Sequence, residues 1–517
     1  MQDHSENTKR IAKNTFMLYG RMLFSMVVSL YTSRVVLNTL GVVDYGIYGV
    51  VGGFVSMFSL ISSSLSSAVS RFLTFELGRG DQERLNKAFS TSLLIHIVLA
   101  IAVLVISETV GVWFVNNKMT IPSDRLYAAN WVFQASIFSF MFGLFSVPYN
   151  ASIVSHEKMS AFAYIGILDT TLRLCVVLFI VYCSRPFDRL IIYAILLVVV
   201  SIMLQSIYLI YCRKHFEECR LRVSLDKELL KDISSFAGWN FIGCTAQLLK
   251  DHGVNILLNI FIGPILNAAR GIATSVNTAV SSFTGSFMTA LNPQITKSYA
   301  SEDHDYMMFL IERGSRFSFY LLMLFALPII LEAEFILTLW LTQFPDHTIN
   351  FVRLVLIMSL TDSISNPLIT IQLATGRIRN YQIVVGGMLF LNFPLSYICL
   401  RLSLPPESVY LVAIMVSVLC LILRLFFLKQ MVGLSIIRYC RNVLVNVFSV
   451  LCVAICAPFM VYALMDYGAL RFFIVTMVSI FSTLISILII GCNIHERKFI
   501  LRKIPGLSRL INDRNIR

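Results

Sequence analysis

Residues 190–211 read LIIYAILLVVVSIMLQSIYLIY, a run without one charged side chain. The hydrocarbon core of a bilayer is about 30 Å thick and needs about 20 apolar residues of helix to cross it. This stretch therefore predicts a membrane-spanning helix, and comparable stretches fill most of the 517-residue chain. Apolar residues make up 57% of the sequence, charged residues 14%, and the mean hydropathy is +0.76. We expect an all-α, polytopic membrane protein of about 14 transmembrane helices.

The first apolar stretch has no small-residue cleavage site behind it and is followed by further spans, so we interpret it as a retained helix rather than a signal peptide. The predicted spans are 14–37, 44–72, 88–115, 126–150, 161–183, 188–211, 236–262, 264–292, 315–342, 350–375, 381–402, 408–428, 442–465 and 470–492.

The polar segment Tyr211–Ser235 is the longest gap between spans and separates the first six from the next six. We expect an N-lobe over 1–235, a C-lobe over 236–428, and a final part, 429–517, that holds two appended spans and a basic tail. The basic, amphipathic end of this tail is typical of a segment that lies along the membrane surface.

The two predicted lobes repeat each other weakly. The hydropathy of Ser33–Arg79 matches that of Gly253–Ser301, and Pro148 aligns with Pro367. Six spans is an even number, so both repeats enter from the same side. The pattern predicts pseudo-symmetric, parallel six-helix lobes related by an axis along the membrane normal, a common plan in transporters.

The chain has a net charge of +13, and its Lys and Arg residues are distributed according to the predicted membrane topology. With the amino terminus placed inside, most Lys and Arg residues fall in cytoplasmic segments, which is the positive-inside bias and places both termini in the cytoplasm. This distribution favours contact with anionic membrane lipids over nucleic acid.

The sequence gives little support for disulfides, a metal site, nucleotide binding or a catalytic domain. The 11 cysteines and 8 histidines are scattered, with no C-x-x-C pair, so we expect neither a disulfide framework nor a metal site. There is no G-x-x-x-x-G-K-[ST] loop, and no polar segment is long enough for a catalytic domain. We therefore expect no enzyme activity and no cofactor.

Polar faces run along four of the predicted spans. The eighth span carries Asn267, Arg270, Thr274 and Asn277 within one arc of the helix, and the first, second and seventh spans have similar faces. A helix that contacts only lipid has no need of such a face. We therefore predict a hydrated cavity, although the Gly/Ser face of the second span is also typical of close helix packing.

Charged residues at membrane depth cost about 2.5–3.5 kcal/mol each unless they are paired or hydrated. Lys250, Asp251 and His252 are adjacent near the middle of the seventh span, and their side chains point in different directions, so at least one should face the cavity. Asp169 and Arg173, spaced i, i+4, could neutralise each other. The excess of Arg and Lys over acids favours an anionic substrate, such as a lipid-borne phosphate or pyrophosphate.

Three segments carry a resemblance to a known family. They are SRVVLNTLGVVDYGIYGVVGGF (Ser33–Phe54), NAARGIATSVNTAV with TALNPQITKSYA (within Asn267–Ala300), and LPIILEAEFILTLWL (Leu327–Leu341). In these motifs and in span count the chain resembles the polysaccharide-biosynthesis (Wzx-type) flippases of the multidrug/oligosaccharidyl-lipid/polysaccharide (MOP) exporter superfamily.

The resemblance implies a fold like that of MATE transporters and lipid flippases. It also implies that polyprenyl-pyrophosphate-linked oligosaccharide moves across the bacterial cytoplasmic (inner) membrane by alternating access, for O-antigen (lipopolysaccharide) or capsule assembly. A glycan polymerase and a chain-length regulator are candidate partners. The alternatives are a lipid II flippase, a multidrug/cation antiporter, and, in another class, a membrane-embedded glycan polymerase or ligase.

Relatives of this kind have a cationic central cavity, for which Arg21, Lys250 and Arg270 are the positional candidates here. The polar face of the eighth span adds Asn267, Thr274 and Asn277 to the candidate substrate site. Asp251 is the candidate for coupling to H⁺ or Na⁺ because it is the most central acid of any span. A structural ion pair with a cation such as Arg21 is the alternative for Asp251.

Overall fold

The computed structural model describes residues 2–56, 58–117, 119, 121–182, 188–220, 226–262, 264–341, 343–493 and 496–497. At residues 2–9 and at a few positions inside helices, Asp251 among them, only the backbone is described. These ranges contain helices joined by short connections, and no strand occurs within them.

In the described residues of the first part of the chain there are ten α-helices. They are α1 (Gln2–Ser56), α2 (Ser59–Arg79), α3 (Gln82–Ile106), α4 (Val112–Asn117), α5 (Leu126–Ser155), α6 (Met159–Tyr182), α7 (Arg189–His215), α8 (Lys227–Leu248), α9 (Val254–Phe261) and α10 (Pro264–Ala300). The helical run α1 is broken at Gly41, whose φ of 81° lies where a side chain would be strained. This break falls between the first two predicted spans.

Ten more follow. They are α11 (His304–Leu331), α12 (Ala333–Leu341), α13 (Thr348–Thr375), α14 (Arg379–Tyr381), α15 (Gly387–Phe390), α16 (Asn392–Arg401), α17 (Ser408–Val432), α18 (Ile436–Tyr439), α19 (Asn446–Leu464) and α20 (Ala469–Ser486). Short π-helical turns join several neighbouring pairs, and one of them, Leu249–Gly253, links α8 to α9. Such turns interrupt the regular hydrogen-bond ladder and often occur at functional sites.

Eleven helical segments in the described part of the chain are long and apolar enough to cross a membrane. The predicted all-α membrane fold is therefore confirmed. The three predicted spans outside this set, the second, seventh and eighth, are also helical. They are three of the four spans in which the sequence places polar faces, and those faces lower their hydropathy. The count of fourteen stays a prediction.

The chain forms two compact units. Unit 1 comprises 1–245, 289–307 and 371–383, and unit 2 comprises 246–288, 308–370 and 384–517. The sequence-based division at 235 and 428, and the pseudo-symmetry of the lobes, stay predictions.

In unit 1 a single arginine, Arg125, links the segments that precede α5, follow the break in α1 and precede α7. Arg125, just before α5, donates from Nε to Asp44 Oδ1 at 2.8 Å and from Nη1 to Asp188 Oδ2 at 2.5 Å. Asp44 lies just after the break in α1, and Asp188 caps α7 by accepting from the amides of Leu190 and Ile191. Burial alone would raise the pKa of Asp188, but these hydrogen bonds outweigh it and hold the pKa below its usual value.

In unit 2, ion pairs attach α20 and the residues that follow it. Arg471 of α20 donates from Nε and Nη2 to the two carboxylate oxygens of Glu332, at 2.9 and 3.1 Å, and both residues are buried. Arg316 of α11 donates to Glu496 at 3.1 Å and to the Gly491 carbonyl at 2.9 Å. A buried pair of this kind is costly to break because it leaves an uncompensated charge, so α20 and the residues that follow it are held against the rest of unit 2.

Candidate functional site

A cavity of about 270 Å³ lies inside unit 2. The polar face of α10 forms one wall, and α9, α13, α16 and α17 complete it. Its lining residues are Lys250, Val254, Asn255, Arg270, Thr274, Asn277, Thr278, Val355, Met358, Asn392, Val409, Tyr410 and Ala413. We call it the cationic cavity, since Lys250 and Arg270 are the charged residues among the described residues of this lining.

Lys250 is held firmly at the cavity wall. It lies in the π turn that links α8 to α9, and its side chain is only 2% exposed. Nζ donates to Asp362 Oδ2 at 3.1 Å and to Ser417 Oγ at 3.0 Å. Asp362 therefore compensates the Lys250 charge. The π turn also lies close to α16. A Cβ added at Gly253 would lie 2.9 Å from the Phe393 ring.

Arg270 supplies the second positive charge. It projects from α10 and is buried, and its guanidinium carbon lies 5.5 Å from the centre of the Tyr410 ring, within the range of a cation–π contact. A buried guanidinium retains its charge and presents several N–H donors in a planar fork suited to phosphate oxygens. Arg270 and Lys250 thus bring two positively charged side chains to the described lining.

Neutral polar groups surround these cations. Asn277 Oδ1 accepts from Ser359 Oγ at 2.6 Å and from Ser281 Oγ at 3.3 Å, which fixes the amide beside Thr274. Asn392, at the start of α16, is fully buried. Within the described residues neither its Oδ1 nor its Nδ2 has a hydrogen-bond partner. Because an unpaired buried amide costs free energy, Asn392 is a candidate to contact a bound ligand or water.

The structure brings together four of the seven candidate residues. Lys250, Arg270, Thr274 and Asn277 line the cationic cavity. Asn267 lies one turn before Arg270 on α10, outside this lining, and its buried Oδ1 has no hydrogen-bond partner among the described residues.

The other two candidates lie elsewhere or cannot be placed. Arg21 belongs to unit 1, where its guanidinium lies 4.3 Å from the centre of the Phe162 ring and its Cδ fits against Gly166. The side chain of Asp251 lies outside the described residues, so its role stays a prediction.

Sequence reasoning missed two contributors to this cavity. Asn392 sits alone in the apolar run GGMLFLNFPL, and an Asn–Phe–Pro sequence at membrane depth is a signal that could have identified it. Tyr410 lies near the start of α17 and gave no periodic signal. Asp362 is recognisable as an acid at membrane depth, but its partner is 112 positions away and follows only from the packing.

Comparison with known proteins identifies the family. Residues 11–299 match the model of a family described as polysaccharide biosynthesis protein. The chain belongs to this family. The polysaccharide-biosynthesis family inferred from the sequence motifs is thereby confirmed, and the fold is shared with solved transporters of the MOP superfamily.

One curated relative is an uncharacterized membrane protein, EpsK, of Bacillus subtilis (strain 168). It is 21% identical over 320 residues, which are 62% of this chain and 63% of the relative. The matched region thus spans somewhat less than two thirds of the length of that relative.

Solved structures of MATE transporters share the fold. A multidrug resistance MATE family transporter of the MOP superfamily, in its outward-facing conformation, superposes with a TM-score of 0.72 at 12% identity, over 83% of this chain and 96% of the other. A MOP superfamily transporter from Pyrococcus furiosus, whose binding pocket is described as having reverse polarity, gives 0.69 at 12% identity over the same shares. At such identity the likeness concerns the fold alone.

Proposed function

We propose that this chain moves polyprenyl-pyrophosphate-linked oligosaccharide from the inner to the outer leaflet of the bacterial cytoplasmic membrane by alternating access. The headgroup enters the protein while the polyprenyl tail stays in the lipid. Binding of the headgroup or of an ion then biases two conformations that open to opposite sides. The glycan is an O-antigen or capsule repeat unit, and a glycan polymerase and a chain-length regulator act on the product.

The observation that carries this proposal is the charge of the cationic cavity. Arg270 is buried beside Tyr410, and Lys250 already has its own carboxylate in Asp362. A site whose described lining carries a buried guanidinium and a buried ammonium attracts anions and repels the cationic drugs that an antiporter would export. A pyrophosphate group offers several oxygens to the guanidinium fork and to neighbouring amides such as Asn392.

Membership in the polysaccharide biosynthesis family supports the glycan part of the substrate, and the multi-pass fold supports transport rather than catalysis. The orientation follows from the positive-inside distribution of Lys and Arg, which places both termini in the cytoplasm.

The proposal is tested by reconstitution. Proteoliposomes containing the purified protein are loaded with undecaprenyl pyrophosphate that bears one fluorescent N-acetylhexosamine. Movement is followed as the fraction of headgroups that external dithionite can bleach. We expect flipping by the parent protein, loss of at least 10-fold in rate for Arg270→Ala, and partial recovery for Arg270→Lys, because an ammonium lacks the planar fork.

Arg401→Ala is the matched control, since Arg401 is an exposed arginine of unit 2 outside the cavity lining. It should flip at the parent rate. Full activity of Arg270→Ala would remove Arg270 from the site, and absence of flipping by the parent protein would refute the proposed substrate class.

A further inference from the structure

Unit 1 contains two adjoining cavities that the cationic cavity does not explain. One has a volume of about 380 Å³ and the other about 590 Å³, and both are lined by Tyr48 and Arg173. Volumes of this size are typical of small-molecule sites. We call the pair the unit 1 chamber.

The lining of the chamber is rich in hydroxyl groups. The side chains that supply them are Ser25, Ser29, Thr32, Tyr45, Tyr48, Ser136, Ser139, Thr170, Tyr193 and Ser201. Tyr48 of α1 and Tyr193 of α7 lie with their ring centres 5.1 Å apart and their planes tilted by 60°. Tyrosine rings combine an apolar face with a polar edge, so the lining offers both stacking surfaces and hydrogen bonds.

Among the described residues of this lining, the charged one is Arg173, and it has a local counter-ion. Arg173 Nε donates to Asp169 Oδ1 at 2.7 Å, the i, i+4 pair predicted from the sequence, and the two side chains remain 49% and 35% exposed. The unit 1 chamber is thus close to neutral, in contrast to the cationic cavity. A paired guanidinium and carboxylate at its border offers donors and acceptors side by side.

Close packing does not account for the small residues at the chamber wall. Within the described residues, a Cβ added at Gly49 would meet no atom within 4 Å, and one at Gly52 would meet only Ser136 Oγ at 3.9 Å. Glycines that let two helices touch would show much shorter distances, as Gly78 does against Ala300 at 2.8 Å. The glycine face of α1 therefore borders open space.

We infer that the unit 1 chamber binds an uncharged saccharide, through the Tyr48 and Tyr193 rings, the surrounding hydroxyls and the Arg173–Asp169 pair. Adjacent hydroxyls of a sugar ring match a lining of donors and acceptors without net charge, whereas its C–H face packs on tyrosine. A phosphate is better matched by a site with a net positive charge, and a lipophilic drug would make no use of the hydroxyls. The inference rests on the proposed function and assigns the sugar of that substrate to this chamber.

The test fills the chamber without disturbing the helix. Gly49→Leu places an apolar side chain in the open space, and leucine is a better helix former than glycine by up to about 1 kcal/mol. Gly46→Leu is the matched control, because Gly46 lies three positions earlier in α1, is exposed, has equal space for a Cβ, and does not line the chamber. A second pair compares Tyr193→Phe with Tyr164→Phe, since Tyr164 is exposed on α6.

Binding of two probes to the detergent-purified protein is measured by native mass spectrometry. The probes are undecaprenyl pyrophosphate and the same lipid bearing one N-acetylhexosamine. We expect the parent protein and both controls to bind the sugar-bearing lipid about 10-fold more tightly, a difference of about 1.4 kcal/mol. Gly49→Leu should lose this preference and Tyr193→Phe should reduce it, while both still bind the sugar-free lipid.

The two hypotheses fail in different ways. An undiminished preference in Gly49→Leu, or equal affinity of the parent protein for both lipids, would overturn the saccharide site and leave the pyrophosphate proposal standing. A parent protein that binds neither lipid would overturn both.

Discussion

Lys250 Nζ lies 3.1 Å from Asp362 Oδ2, and the two partners differ in exposure: the Lys250 side chain is 2% exposed and that of Asp362 is 38% exposed. The contact joins the π turn after α8 to the middle of α13, both in unit 2. Removing Asp362 and removing Lys250 should therefore lower the free energy of unfolding by different amounts, since only the lysine is shielded from solvent.

The first prediction concerns this pair. Asp362→Asn leaves a buried ammonium with only neutral acceptors and should lower the unfolding free energy by about 1–3 kcal/mol. Lys250→Met leaves an accessible carboxylate and should cost less. Thermal unfolding of the detergent-purified variants measures both, and the double variant should be less destabilised than the sum of the single ones. Additive, equal effects would show that the pair contributes nothing specific.

Hydropathy was sufficient to predict the helical membrane fold because apolar runs of this length rarely occur outside membrane-spanning helices. It was insufficient for the second, seventh and eighth spans considered alone, since their polar faces lower the average. The structure shows these three segments as helical, and their assignment as membrane spans stays a prediction.

The cavity was only partly predictable for a different reason. In a regular helix Asn240 and Asn255 would lie on one face of the seventh span, but the π turn at Leu249–Gly253 changes the register between them. Asn255 lines the cationic cavity, whereas Asn240 is buried in unit 1 beside Gln382. An extra residue in one turn is a response to tertiary packing, and a single sequence carries little sign of it.

The second prediction concerns a buried carboxylate in unit 1. Glu157, in the turn between α5 and α6, is 1% exposed at its side chain and has a φ of 58°. Its carboxylate accepts from Arg10 Nε at 2.9 Å, Lys297 Nζ at 2.7 Å and Gln294 Nε2 at 2.5 Å. Asn14 also donates to its carbonyl, at 3.3 Å. One acid thus connects the start of α1, this turn and the end of α10.

Glu157→Gln should lower the unfolding free energy by about 1–3 kcal/mol, because two cations lose their counter-charge and Gln294 faces another amide. The matched control is Glu83→Gln, which removes an exposed i, i+4 partner of Lys87 and should cost at most about 0.5 kcal/mol. Thermal unfolding compares the two. Similar small effects would mean that solvent or neighbouring groups replace the Glu157 contacts.

The third prediction concerns orientation. In a cysteine-free background, single cysteines at Asn117 and Asp346 should react with a membrane-impermeant maleimide added to intact cells. A cysteine at Lys214 should react only after the membrane is opened. All three positions are exposed in the structure, so the difference would report sidedness. External labelling at Lys214 would overturn the span assignment and the placement of both termini in the cytoplasm.

The last prediction concerns energy coupling. Asp251 is next to Lys250 in the π turn, and an acid at such depth is usually paired, protonated or ion-bound. Lys250 is engaged by Asp362 and Ser417, so its charge is already compensated without Asp251. We propose that Asp251 takes up H⁺ or Na⁺ in one state of the cycle and thereby shifts the equilibrium between the two open forms, by no more than its difference in ion affinity between them.

In proteoliposomes, an imposed H⁺ or Na⁺ gradient should accelerate flipping by the parent protein, and Asp251→Asn should abolish that acceleration while slow exchange continues. Asp232→Asn, at an exposed position near the start of α8, is the control and should respond like the parent. Slow exchange without a gradient response separates lost coupling from lost folding. A gradient response in Asp251→Asn equal to that of the parent would assign Asp251 a structural role, and the coupling ion would then have to bind at another acid.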